Sequence, residues 1–236
     1  MIRQLFIIAI FSFNAGLPAQ AAPLMTFDSI MRMTMQRRVS ELKKQSHAAA
    51  RYLRDTAFSE NESLENRWRA VVTMGRMDPV HFRESLNQAL QSRDWFMRNA
   101  ALIALQTDER QRAVSWSARL LADKALVVRT QAVRNLVLLE AKETEPLLWK
   151  AIASPVNFSG EQSLWIRESI AEALARFAVK GRNKAFEGLL LDRDERLHKW
   201  AIAGLEASTG LKMSGDDEPV EIRRQKWLSR LGVQEI

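Results

Sequence analysis

One helical phrase is written five times along the sequence, and that recurrence limits the fold more than any other feature. It reads RWRAVVTM (67–74), MRNAALIAL (97–105), VVRTQAVRNL (127–136), IRESIAEAL (166–174) and LHKWAIAGL (197–205). Aligning the phrases puts Arg67, Arg98, Arg129, Arg167 and His198 in register, at intervals of 31, 31, 38 and 31 residues. A fixed period of this length signals one supersecondary unit repeated along the chain. The single longer interval coincides with SPVNFSG (154–160), whose Pro155 and Gly160 mark a linker where seven extra residues must be placed.

Three residues after the register position stand Ala70, Ala101, Ala132, Ile170 and Ala201. Four after it stand Val71, Leu102, Val133, Ala171 and Ile202, and seven after it Met74, Leu105, Leu136, Leu174 and Leu205. That spacing is one face of an α-helix. The small residue at the first position lets a neighbouring helix approach closely, so each phrase predicts an inner helix packed against its equivalents.

The stretches between the phrases, PVHFRESLNQAL (79–90), ERQRAVSWSARLL (109–121), TEPLLWKAI (144–152) and NKAFEGLLL (183–191), predict a first helix for each unit. Pro79 and Pro146 fall near the first turn of two of them, where the missing N–H costs nothing. A stack of helix pairs needs closed ends. DDEPVEIRRQKWLSRL (216–231) predicts a capping helix opening near Pro219, with Trp227, Leu228 and Leu231 on one side. At the other end, 26–57 predicts one long helix or two, with Phe27, Ile30, Met31, Met35, Val39 and Leu42 inward.

LLADKALVVRTQAVRNL (120–136) combines a leucine pair, the turn residue Asp123, the Val128-Arg129 step and an Ala-x-x-x-Leu face. On those residues the chain resembles HEAT repeats, specifically the short bacterial HEAT-like class first associated with phycobilisome lyases. LLLDRDERLHKWAIAGL (189–205) matches nearly as well, with His198 in the Arg position, and the first unit lacks the turn Asp. The resemblance covers roughly 60–210 and implies an all-α fold: an α-solenoid of about five two-helix repeats, with an N-terminal helical region and a C-terminal capping helix. The expected organisation is 1–21 signal peptide, 22–58 basic helical region, 59–210 repeat array and 211–236 cap.

The signal peptide is read from Arg3, the apolar stretch LFIIAIFSF (5–13), the breakers Asn14 and Gly16, and Ala19-Gln20-Ala21, after which cleavage is expected. The apolar stretch is short for a bilayer span, which makes a retained anchor the alternative. No cysteine lies near the cut, so a lipid-anchored lipoprotein is excluded. With no cysteine anywhere, disulfides, thiolate metal sites and cysteine nucleophiles are excluded together. The expected location is periplasmic or secreted.

Formal charge is +7, but it is unevenly spread. Residues 24–58 carry seven basic side chains, Arg32, Arg37, Arg38, Lys43, Lys44, Arg51 and Arg54, against Asp28, Glu41 and Asp55. The rest, 59–236, holds 27 basic and 25 acidic side chains and is almost neutral. A nucleic-acid-binding array concentrates Lys and Arg along its groove, which this one does not. The basic segment instead suggests contact with an anionic surface through Arg37, Arg38, Lys43, Lys44, Arg51 and Arg54.

The in-register arginines are expected to pair with turn carboxylates of their own or the adjacent unit, with Asp94, Asp123 and Asp194 as candidates. The seven tryptophans occupy different offsets from unit to unit, so most are expected in packing, and Trp165 and Trp200, near inner-helix starts, are the two singled out as candidate contacts. Histidines 47, 81 and 198 show no metal-ligand spacing, and no G-x-S-x-G, phosphate-cradling or dinucleotide motif occurs. The expectation is a protein without catalytic residues, cofactor or metal, binding another protein or peptide through inner-helix positions that face away from the core: Asn99, Thr130, Arg134, Glu168, Glu172 and Lys199. Peripheral binding of anionic lipid or envelope polymer is the alternative. A bilin lyase or isomerase role is implied by the resemblance alone.

Overall fold

The computed structural model of the chain describes residues 25–213, 215 and 217–233. The signal segment read over 1–21 lies outside the described residues. Among the described residues the protein is all-α, with thirteen α-helices and a single two-stranded hairpin.

The five phrases form α4 (Leu64–Met77), α6 (Trp95–Ala104), α8 (Leu126–Leu138), α10 (Ile166–Arg176) and α12 (His198–Thr209). Each packs on the next, α4 on α6, α6 on α8, α8 on α10 and α10 on α12. The first helices are α3 (Ser46–Phe58), α5 (Arg83–Leu90), α7 (Arg110–Leu120), α9 (Glu145–Ile152) and α11 (Asn183–Leu190). Each lies against the inner helix that follows it. The helix paired with α4 therefore comes from residues 46–58, on the N-terminal side of the expected boundary at 58/59.

All fifteen apolar residues at three, four and seven after the register position are buried. Fully burying one Leu or Ile side chain contributes about 1.5–3 kcal/mol, so this face carries the stack. The helices approach closely where small residues meet. A Cβ at Gly75 would stand 2.5 Å from Ala104 Cβ, which fixes the α4–α6 crossing. Pro146 opens α9 as expected, whereas Pro79 precedes α5, in a turn where Asp78 Oδ1 accepts from the amides of Val80 and His81.

The extra residues of the 38-residue interval build a short hairpin, β1 (Phe158–Ser159) paired antiparallel with β2 (Gln162–Ser163). Gly160 opens its two-residue loop with φ +59, a sign that glycine adopts without a Cβ penalty.

At the N-terminal end there are three helices rather than one or two. Beyond α3 these are α1 (Phe27–Met31) and α2 (Met35–Lys44). The α1–α2 break has a physical cause, because Thr34 is extended and Arg38 Nη2 donates to the exposed turn carbonyl of Met33 at 2.9 Å. Ile30, Met31 and Leu42 are buried, and Phe27 stacks on Tyr52 with centroids 4.4 Å apart. At the other end α13 (Val220–Leu231) buries Trp227 and Leu228 over α12 and α11, and Arg224 Nε caps the Leu190 carbonyl at 2.7 Å.

Candidate partner-binding surface

The register residues form a line of joints between units. Arg67 Nη2 reaches Asp94 Oδ2 in the next turn at 3.3 Å. Arg98 grips Asp123 with Nε and Nη2, at 2.6 and 2.7 Å, while Nη1 donates to the Ser92 and Arg93 carbonyls of its own turn. Arg167 grips Asp192 at 3.2 and 2.5 Å and also caps the Ile152 carbonyl. His198 Nε2 meets the Asp192 carbonyl at 2.9 Å.

Each arginine joint does two things at once. It satisfies backbone carbonyls near the end of one helix and links that unit to the next by a charge-assisted bond, whereas His198 bonds only the carbonyl of its own turn. Burial alone would raise the Asp123 carboxyl, but hydrogen bonds from Arg98 and the Ala125 amide, with the charges of Arg98 and Arg129, hold it below the ordinary aspartate value. Asp194, a sequence candidate for this line, bonds Arg196 and Ser163 instead. The carboxylate that Arg167 uses is Asp192.

These joints hold the inner helices so that one end of each lies along a common edge. There the protein exposes a row of large apolar side chains: Leu64 (61%), Trp95 (52%), Val127 (42%) and Trp165 (45%). Leu64 and Trp95 are the first residues of α4 and α6, Val127 the second of α8, and Trp165 the residue just before α10. The helices are packed neighbours, with axes about 8–10 Å apart, and the four side chains stand at or beside their N-terminal ends, two of them three residues before the register position and two of them two before it; together they are called the ridge. Just inside it, Trp68 Nε1 donates to Asn99 Oδ1 at 3.3 Å, and Asn99 Nδ2 reaches the Val127 carbonyl at 3.5 Å. A single amide thereby ties three consecutive units behind the ridge.

That finding corrects part of the predicted surface. Asn99 (9% exposed) and Thr130 (3% exposed) are buried, and Thr130 Oγ1 bonds the Leu126 carbonyl of its own helix. Both are short side chains that neighbouring inner helices cover. Arg134 is exposed. Glu168 and Lys199 pair across units at 2.7 Å, with the Lys199 ammonium 5.2 Å from the Trp200 ring centre. Glu172 pairs with Arg176 one turn on. The polar residues thus gather toward the C-terminal units and the apolar ridge covers the first four.

Of the two tryptophans singled out, Trp165 is on the ridge and Trp200 is half-buried, while Trp95 was missed. Its signal was present: Leu64 and Trp95 stand seven residues before the core residues Val71 and Leu102, so the apolar stripe runs two turns further upstream, past its cover.

Of the basic N-terminal residues, Arg37, Lys43, Lys44, Arg51 and Arg54 are exposed. Arg38 is not, and its assignment to an anionic contact surface is corrected: it is 5% exposed, bonded to Thr73 Oγ1 and the Met33 carbonyl, and burial pulls its guanidinium below its ordinary pKa. Lys44 is paired with Glu41 at 2.7 Å, and Arg54 lies over the Phe82 ring.

Among the described residues no three His, Asp or Glu side chains gather as metal ligands, and no helix is long and apolar enough to cross a membrane. Compared with known families and curated proteins, the chain matches no family model and no curated sequence.

Proposed function

We propose that the protein is a non-enzymatic α-solenoid of the HEAT type, exported to the periplasm, that serves as an interaction scaffold or assembly factor for another protein. The observation that carries this reading is the ridge of Leu64, Trp95, Val127 and Trp165. Large aromatic side chains fixed at the edge of a rigid stack are the residues that anchor protein interfaces, because they supply much contact area for little lost side-chain freedom. The partner meets the ridge first and the Glu168–Lys199 region beyond it. This ridge replaces the predicted groove as the main contact, with Arg134 retained as an accessible basic residue two turns along α8 from Val127.

The test is co-purification from a cell-envelope extract with the full chain as bait, alongside a Trp95→Asp, Trp165→Asp double variant. The reading expects one partner held by the wild type through high salt and lost from the variant, with helicity unchanged. Equal retention by both proteins contradicts the ridge.

A second reading, adhesion to anionic lipid or envelope polymer, is favoured by the exposure of Arg37, Lys43, Lys44, Arg51 and Arg54 on neighbouring helices. It expects binding that disappears with added salt, since exposed charges are screened within about 8–10 Å at physiological ionic strength.

A further inference from the structure

We propose that the cleft between the α2–α3 corner and the α4–α5 turn binds a single-chain anionic amphiphile, a molecule with one apolar tail and a terminal phosphate or carboxylate. The cleft has a volume of about 400 Å³. It lies at the end of α4 opposite the ridge, about 20 Å away at 1.5 Å per residue, and is independent of it.

Its floor is apolar. Phe82 and Ala50 are core residues whose surfaces close the bottom, and half-buried Met77 forms a flexible wall. Its rim carries the ammonium of Lys43, with the imidazoles of His47 and His81 beside it. Lys43 is exposed and takes part in no ion pair among the described residues. Arg54 adds charge from behind the rim, with Nη2 3.2 Å from His81 Nε2 and its guanidinium 5.2 Å from the Phe82 ring centre. The one carboxylate at the cleft, Asp78, is turned to the backbone, where Oδ1 accepts from the Val80 and His81 amides at 3.1 and 2.9 Å. Lys43 and Arg54 together outweigh that single carboxylate, so the cleft keeps a positive balance.

Neither half of the cleft suffices for a ligand alone. A purely polar anion would leave the floor of Ala50, Met77 and Phe82 unfilled, and a neutral apolar molecule would leave the Lys43 ammonium without a counter-charge. The volume falls at the small end of ligand pockets, which suits one chain rather than the paired chains of a bilayer lipid. The concave shape likewise takes one molecule, whereas a membrane surface would meet the flat exposed faces of α2 and α3.

The probe is decyl phosphate below its micellar concentration, titrated into the full chain by calorimetry beside inorganic phosphate and the neutral decyl maltoside. One decyl phosphate per chain is expected, with both controls at least about tenfold weaker, the loss that one charge-assisted contact entails. Lys43→Glu, at an exposed position, and Met77→Asp, at the wall, are each expected to weaken decyl phosphate about tenfold or more. Thermal melting checks that each variant folds, and Lys43→Glu keeps the test open if Met77→Asp does not. Binding that Lys43→Glu leaves unchanged overturns the proposal. So does a stoichiometry well above one, equal binding of phosphate or decyl maltoside, or binding to anionic vesicles without binding to monomeric decyl phosphate.

Discussion

Two joints in the middle of the stack solve the same problem differently. Between the second and third units Arg98 is clamped by the carboxylate of Asp123, and both side chains are almost fully buried. Between the third and fourth, Arg129 meets no carboxylate. Its Nε donates to Asn157 Oδ1 at 2.8 Å and its other nitrogens to the carbonyls of Asp123, Lys124 and Val156. Burial lowers the Arg129 pKa, and the charge of nearby Asp123 partly offsets that.

The seven-residue linker explains the exchange. The longer chain must satisfy its own backbone, and Asn157 does so with its second half, Nδ2 donating to the Ala151 carbonyl at 2.8 Å. An aspartate has no hydrogen to give there. The joint position belongs to the repeat, while the chemistry that fills it belongs to the local linker.

The largest effect that separates the two joints is expected from Arg98→Met, which leaves the Asp123 carboxylate buried and unpaired. Such losses cost about 3–5 kcal/mol, measurable by denaturant unfolding. Arg129→Met strands carbonyls and an amide but no charge, so about 1–3 kcal/mol is expected from the same measurement. If the two variants cost the same, the carboxylate is not what distinguishes the joints.

Acid sharpens the same contrast. The Asp123 carboxyl is depressed in the folded protein, so its contribution is present above the ordinary aspartate pKa and is lost as pH falls through that value toward the folded one. Stability followed between pH 6 and pH 2 is expected to fall less steeply with acid in Arg98→Met than in wild type. Arg129→Met is expected to keep most of the wild-type slope. The smallest effect is that of Asn157→Asp, which gains a charge pair with Arg129 and loses the bond to Ala151. A net loss of about 1 kcal/mol is expected, and a gain of stability would show that the Ala151 bond matters less than the missing charge.

The regular joints were legible because period and face coincide. A 31-residue interval with apolar residues at three, four and seven predicts stacked inner helices, and those fifteen residues are buried. Their carboxylates were only half legible, since Asp94 lies four residues before its unit's register position but Asp123 and Asp192 lie six before theirs. A turn can place a side chain at one point from more than one sequence offset.

Arg38 was misread because a charge count does not distinguish a solvated arginine from a buried one. Its clue was local. It bonds the carbonyl five residues back, at Met33, as Arg98 does at Arg93 and Arg129 at Lys124. Asn99 and Thr130 were misread because helical spacing gives a direction from one axis and says nothing about how far the next helix overhangs it. The cleft beside Lys43 joins residues from 43 to 82, which no single periodic pattern links.

The ridge is the central claim, and site-specific photocrosslinking tests it most directly. A photoreactive phenylalanine analogue replaces Trp95, Trp165 or, on a first helix rather than an inner one, the exposed Ser115 of α7. Neither ridge replacement is expected to change stability by more than about 0.5 kcal/mol, because both positions are exposed. After illumination in cells, positions 95 and 165 are expected to yield a crosslink to the same partner protein, and position 115 none. A crosslink from 115 with nothing from 95 and 165 would contradict the account.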